Sequence, residues 1–235
     1  MNDPPLISCI VSVFNGERYL RQALSSIFAQ SYGRIEVIVA DDGSTDASQA
    51  IATGSLEPIR LVTQVTAGPA ATRNLGLETA RGEFVAFLDA DDLWHREKLT
   101  IQAARFRARP ELELCVSHVQ MFWGDGPSAV PDAYRDHPRT RPVPGYATTA
   151  ILARRELFDR IGRFRTELWF SDAAEWFLRA RQHGTITEVI PETLTYHRMH
   201  ASNLTRRRSA ESRDEFLALM KGHLDRLRRV GGARE

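Results

Sequence analysis

The sequence predicts an α/β fold: one domain on a mainly parallel sheet flanked by helices, followed by a C-terminal helical tail. Three observations predict it. Apolar, β-branched runs alternate with stretches of helical periodicity through the first half, as βαβ units do. The 235 residues are 43% hydrophobic and 26% charged, ordinary for a folded chain with a sizeable core. No internal repeat or low-complexity tract interrupts the pattern.

The elements follow in order. "LISCIVSVF" (6–14) is a continuous β-branched run, a strand buried on both faces. Residues 18–30 place Leu20, Ala23, Leu24, Ile27 and Phe28 on one helical stripe. "IEVIVA" (35–40) is the second strand, and Ser44 and Thr45 are candidate caps for the helix after it. "IRLVTQ" (59–64) is the third strand. The third helix (68–80) opens on Gly68-Pro69, where proline costs least. "FVAFL" (84–88) is the fourth strand, and residues 95–108 form a helix with Leu99, Ala103 and Phe106 on one face. The second half breaks this rhythm. Residues 124–145, rich in Pro, Gly, Asp and Arg, predict a long surface loop. A mixed strand (146–153), a short helix around Leu157, a helix over 172–184 and a strand over 187–190 follow. From Ser209 to Val230 apolar residues recur at helical spacing with arginines between them.

Composition excludes some classes. Lys and Arg number 31 against 30 Asp and Glu, so there is no basic excess of the kind a nucleic-acid binder carries. Cys9 and Cys115 sit inside apolar runs and read as reduced core residues. The N-terminus has no basic n-region, and its apolar run is too short for a signal or a membrane span. A cytoplasmic protein is expected, in which the Asn203-Leu204-Thr205 sequon has no consequence.

Polar residues collect where the predicted strands end: Asn15-Gly16-Glu17 after the first, Asp41-Asp42-Gly43-Ser44 after the second, Asp89, Asp91 and Asp92 after the fourth. Ligands of open parallel sheets sit beyond the carboxyl ends of the strands. Closely spaced carboxylates suit a Mg²⁺ or Mn²⁺ ion that also takes substrate phosphates. If the segment stays extended, side-chain alternation points Asp89 and Asp91 the same way. The plain alternative is that these are turn and helix-cap acids, Asp92 among them. Arg73, on the helix opened by Gly68, projects toward the same edge, either to meet phosphate oxygens or simply to be solvated. No G-x-G-x-x-G and no G-x-x-x-x-G-K-[ST] follows any strand, which argues against a dinucleotide oxidoreductase and a P-loop enzyme.

Three stretches, "ISCIVSVFNGERYLRQALSSIFAQSYGRIEVIVADDGSTD", "GPAATRNLGLETARGEFVAFLDADDLW" and "EKLTIQ", closely resemble the inverting family 2 glycosyltransferases, which use nucleotide-diphosphate sugars. The resemblance covers about residues 6–105 and continues more weakly to about 205. It implies a glycosyltransferase A-type fold, with a catalytic domain over 1–205 (nucleotide-binding half to about 110, acceptor half beyond) and a basic helix over 206–235. It implies nucleotide contacts at Phe14, Asn15, Glu17, Asp41, Arg73, Asp89 and Ala90. Asp89 and Asp91 become the metal-binding Asp-x-Asp, with Asp91 the direct ligand, and Mn²⁺ or Mg²⁺ the cofactor. The donor that the resemblance implies first is a UDP-sugar, with the sugar and the base left open. The acceptor is open: polysaccharide, lipid, peptide or natural product.

One segment departs from the family. Its catalytic base usually stands in an acidic pair before aromatic, leucine and arginine residues; here that segment is "FSDAAEWFLRA" (170–180), and Ala173 occupies the base position. Asp172 is its neighbour, and Glu175 lies on nearly the same helical face. Asp172, Glu175 and no competent base are the three alternatives, the last describing a non-catalytic nucleotide-sugar binder or partner subunit. "YHRMHASNLT" (196–205) resembles a segment in which a histidine approaches the metal or diphosphate, His200 first and His197 second. Residues 124–145 and 155–162 fall where the family's acceptor region varies. The basic tail suits an anionic membrane surface at the cytoplasmic face, a homodimer contact, or packing on its own domain. A sugar-phosphate nucleotidyltransferase shares the layering, but "SVFNGERYL" lacks the Gly-rich basic loop such enzymes need.

Overall fold

A computed structural model of the chain describes residues 3–124 and 137–231. The first half alternates as predicted: β1 (Ile7–Val13), α1 (Leu20–Phe28), β2 (Ile35–Asp41), α2 (Ser48–Thr53), β3 (Ile59–Thr63), α3 (Pro69–Thr79), β4 (Phe84–Asp89), a two-residue β5 (Leu93–Trp94) and α4 (Lys98–Ala108). Then come β6 (Leu114–Trp123), β7 (Val143–Pro144), β8 (Ile151–Arg154), α5 (Arg155–Ile161), α6 (Asp172–Gln182), β9 (Thr187–Met199), α7 (Leu204–Arg207) and α8 (Ser209–Gly231). One sheet holds all the strands in the order β3-β2-β1-β4-β8-β6-β9-β5, with β7 paired to β6. β1 to β4, β6 and β9 run one way; β5, β7 and β8 run against them.

β1 is central, and alternation sends its side chains into two cores. Ile7, Cys9, Val11 and Val13 pack with α1 and α4, through Leu20, Leu24, Ile27, Leu99 and Phe106. Ile10 faces the opposite layer, where Ala70, Leu77, Leu157, Phe158 and Trp176 come from α3, α5 and α6. Such two-sided burial is what an unbroken apolar strand implies. The layer of α3 is pressed so close that a Cβ on Gly76 would stand 2.3 Å from Ile10 Cγ2. Cys9 and Cys115 are free and buried, and burial pushes both thiols up to about 12, so neither is a nucleophile at neutral pH.

The second half differs from the sequence reading. β6 has no counterpart among the predicted strands, because Ser117, His118 and Gln120 interrupt its apolar residues. The strand expected at 146–153 is shorter, a 3₁₀ turn over Thr148–Ala150 followed by β8. β9 runs on to Met199, well past the four residues predicted, and carries Pro191 within it. The proline is tolerated because the β6–β9 ladder is irregular there: Val189 opposes Val116, the next partner pair is Thr193 with His118, and Pro191 falls in the gap. Residues 125–136 of the predicted long loop lie outside the described residues; 137–145 carry a 3₁₀ turn and β7. Among the described residues no helix is long and apolar enough to cross a membrane.

Lys98 opens α4 with no exposed surface. Its Nζ donates to Gln102 Oε1 (2.7 Å) and to the Ile151 carbonyl (3.0 Å), and it lies over the Trp94 ring. Those hydrogen bonds go to neutral acceptors, so burial pushes the amine down to about 7. Between that value and 10.5 the unfolded chain holds a proton that the folded chain lacks, so raising pH there favours folding. Urea denaturation should show the wild type gaining on Lys98→Met between pH 7 and 9, by up to about 1.4 kcal/mol per pH unit. Parallel curves for the two proteins would rule this out.

Candidate active site

The turns after β1 and β2 are laced together at the carboxyl edge of the sheet. Asn15 takes a left-handed backbone (φ 50°), which asparagine tolerates. Its N–H donates to Ser44 Oγ (2.8 Å), and its Oδ1 accepts from the Thr45 N–H (2.8 Å). Gly16 N–H donates to Ser48 Oγ (2.8 Å), Glu17 N–H to Asp46 (2.9 Å), and Ala47 N–H to Glu17 (3.0 Å). Ser44 and Thr45 therefore bind the β1 turn rather than capping α2, whose Ser48 N–H goes to Asp46 instead. Phe14 is exposed beside this turn, and Ala90 is buried, donating its N–H to the Ser12 carbonyl.

Asp41 and Asp42, adjacent in sequence, divide their work. Asp42 takes the Ala67 and Gly68 N–H groups (2.9 and 3.0 Å) and Gln64 Nε2 (2.6 Å), fixing the entrance to α3. Asp41 has no exposed surface. Its Oδ1 accepts from Gly43 N–H, Ser44 N–H and Gln49 Nε2, but its Oδ2 meets no donor among the described residues. A buried carboxylate oxygen left without a donor is costly, and marks a place where a ligand N–H or O–H would be welcomed.

Arg73 joins two carboxylates from distant parts of the chain. Its guanidinium donates through NH1 to Asp172 Oδ2 (2.6 Å) and through NH2 to Asp89 Oδ1 (2.9 Å), which also accepts from Ser12 Oγ (2.9 Å). Burial opposes the Arg73 charge, but Asp89 and Asp172 outweigh it and the pKa rises. Burial also drives the Asp172 carboxyl above its ordinary value, with Arg73 pulling the other way. Ala173 has no group to offer. Glu175 is engaged elsewhere: Arg179 donates to both its oxygens (2.8 and 3.2 Å), and Arg165 stands 3.7 Å away.

The Asp-x-Asp segment is not extended. Asp92 N–H returns to the Asp89 carbonyl (3.0 Å), closing a turn that sends Asp89 and Asp91 to different partners, so the alternation argument fails here. Asp91 Oδ2 meets His200 Nε2 at 2.9 Å and accepts from Asn203 Nδ2 (3.2 Å). Burial works to raise the Asp91 pKa, but the hydrogen bond from His200 and the charges of His197 and His200 bring it below the ordinary value. Asp92 is buried against His197 Nδ1 (3.0 Å), and its charge raises the His197 pKa. A buried arginine sets the turn: Arg198 lies over the Tyr19 and Phe122 rings, donates to the Asp91 carbonyl (2.8 Å), Gln22 Oε1 (2.6 Å) and the Gly124 carbonyl, and gives its N–H to Asp92.

Asp91 and His200 fit a hard divalent cation. A carboxylate oxygen and an imidazole nitrogen are both donors such an ion accepts, and here they meet as a hydrogen-bonded pair at 2.9 Å. Ser202 Oγ engages His200 Nδ1 (2.8 Å), leaving Nε2 to face the carboxylate. Among the described residues no group of three or more His, Cys, Asp or Glu side chains is arranged to hold a metal. The protein thus offers one carboxylate and one imidazole, the sparse set a cation shared with phosphates needs. Asn203 escaped the sequence reading although it stands in the same "HRMHASN" stretch, as did Ser12, whose hydroxyl hides within an apolar strand.

The sequence profile of glycosyl transferase family 2 matches residues 8–162. EpsH, a putative glycosyltransferase of Bacillus subtilis, is 29% identical, across 92% of this chain and 67% of its own. TarS of S. aureus superposes with a TM-score of 0.65 at 25% identity, over 82% of this chain and 60% of that one. The mannosyltransferase PcManGT of Pyrobaculum calidifontis gives 0.67 at 22% identity, over 86% and 59%. The chain spans 41 to 67% of the length of the first three curated relatives it matches.

Proposed function

The chain belongs to glycosyl transferase family 2, and from that premise we propose that it moves a sugar, with inversion, from a nucleotide-diphosphate donor to an acceptor hydroxyl. The observation that carries this reading is the unpaired Asp41 Oδ2, a buried acceptor at the edge where the other acidic residues gather. It would take an N–H of the donor's base, with Asn15 and Glu17 shaping the pocket. A UDP-sugar is the expected donor: TarS has been crystallised with UDP and with UDP-GlcNAc, and PcManGT with GDP-Man and Mn²⁺. Asp91 and His200 would hold Mn²⁺ or Mg²⁺, which supplies positive charge to the leaving diphosphate when bound.

The chain's own residues do the rest. Asp172 accepts the acceptor's proton as its oxygen bonds to the anomeric carbon and the bond to diphosphate breaks on the opposite face. Burial raises its pKa above the ordinary carboxylate value, which improves it as a base. Arg73 holds Asp172 and Asp89 in register through its two terminal nitrogens, and its buried Nε–H, which meets no acceptor among the described residues, is left for the nucleotide. A second reading is favoured by Ala173 and by that same ion pair: a binder that holds the donor without transferring it.

Calorimetry with Mn²⁺, paired with a panel of nucleotide sugars assayed for released diphosphate, tests both. Binding of uridine diphosphate with turnover is expected. Failure to bind any of uridine, guanosine or thymidine diphosphate would end both readings. Binding without turnover on any acceptor would leave the second.

A further inference from the structure

α6 begins at Asp172 without a side-chain cap of its own. Its approach is held from the far end of the chain. Glu215, on α8, accepts from the N–H groups of Trp169 (3.0 Å), Phe170 (2.9 Å) and Ser171 (2.7 Å). Three charge-assisted bonds to one carboxylate fix a segment far more firmly than a neutral cap, and the negative charge suits a helix N-terminus. Arg208, just before α8, lies over the rings of Trp169 (5.5 Å) and Phe170 (5.2 Å). The Trp169 indole in turn covers Gly68, where an added Cβ would stand 3.1 Å from it. Gly68 is the N-cap of α3, the helix that carries Arg73.

Both members of the Arg73–Asp172 pair therefore start from elements that meet at Trp169, and α8 clamps that meeting point. We propose that Glu215 is a positioning residue that, through the 169–171 backbone, sets Asp172 in the fork of Arg73. Its consequence for sugar transfer rests on the function proposed above; its hold on the segment does not. The C-terminal helix is then part of how the site is assembled, not an appendage to it.

Glu215→Ala removes all three acceptor bonds. Glu215→Gln keeps the oxygen that serves Phe170 and Ser171 and loses only the bond to Trp169. In Glu215→Ala, amide hydrogen exchange at 169–172 should accelerate about tenfold or more, with β1 and β4 unchanged. Turnover should fall about tenfold or more at little-changed nucleotide affinity, because a small displacement of a reacting group costs rate before binding. Glu215→Gln should recover most of both, and Lys221→Ala, on the exposed side of α8, should alter neither. Unchanged exchange overturns the proposal, and so does turnover falling in step with affinity. A wild type that binds no nucleotide defeats the glycosyltransferase reading alone, and exchange still decides for or against Glu215.

Discussion

Asp91→Ala should abolish the cation dependence of nucleotide binding and weaken binding in Mn²⁺ by at least about 100-fold. The argument is geometric. Asp91 is the one carboxylate of the Asp-x-Asp segment aimed at His200 and Asn203; Asp89 is held by Arg73 and Ser12. Removing Asp91 takes the only negative charge from the Asp91–His200 pair and leaves an imidazole, too weak alone for Mg²⁺ or Mn²⁺. The fold should survive, because the turn hangs on the Asp91 carbonyl and on Asp92, which the substitution spares. The check is calorimetry of uridine diphosphate with Mn²⁺ and with chelator, alongside thermal denaturation. Equal affinity under both conditions in the wild type would remove the metal from the account.

The parallel half of the fold was legible because its strands are buried on both faces and announce themselves as apolar runs. β6 and β9 were not. Ser117, His118 and Gln120 break the run in β6, and Pro191 hides the length of β9 by sitting where the ladder skips. The acidic strand ends were equally legible as a group, since the topology brings them to one edge. Their partners were not. Whether Asp89 and Asp91 face together depends on one turn hydrogen bond from Asp92, which alternation cannot foresee. Asp42 looks like Asp41 on paper, yet it is spent on the Ala67 and Gly68 N–H groups, and only Asp41 keeps an open oxygen. Glu215 gave no signal at all. A charged residue in an amphipathic tail reads as solvated until the 169–171 backbone is seen against it.

Asp172→Asn should reduce transfer by about a hundredfold to ten-thousandfold, the usual worth of a positioned base, while leaving nucleotide affinity within a few-fold. Asparagine is the right replacement because its oxygen still accepts from Arg73 NH1 and the helix start keeps its shape. Alanine would strip a buried guanidinium of one partner and confuse a lost base with a lost ion pair. Glu175→Gln is the companion. Its carboxylate is bound to Arg179, which also donates to the Ile161 and Arg163 carbonyls, so its loss should lower stability and spare the chemical step. A profile in which Asp172→Asn is silent and Glu175→Gln is not would move the base one helical turn along α6. If neither changes turnover, neither carboxylate is the base and the acceptor's proton leaves to solvent; only binding without any turnover would make Ala173 the mark of a site that grips the donor without transferring it.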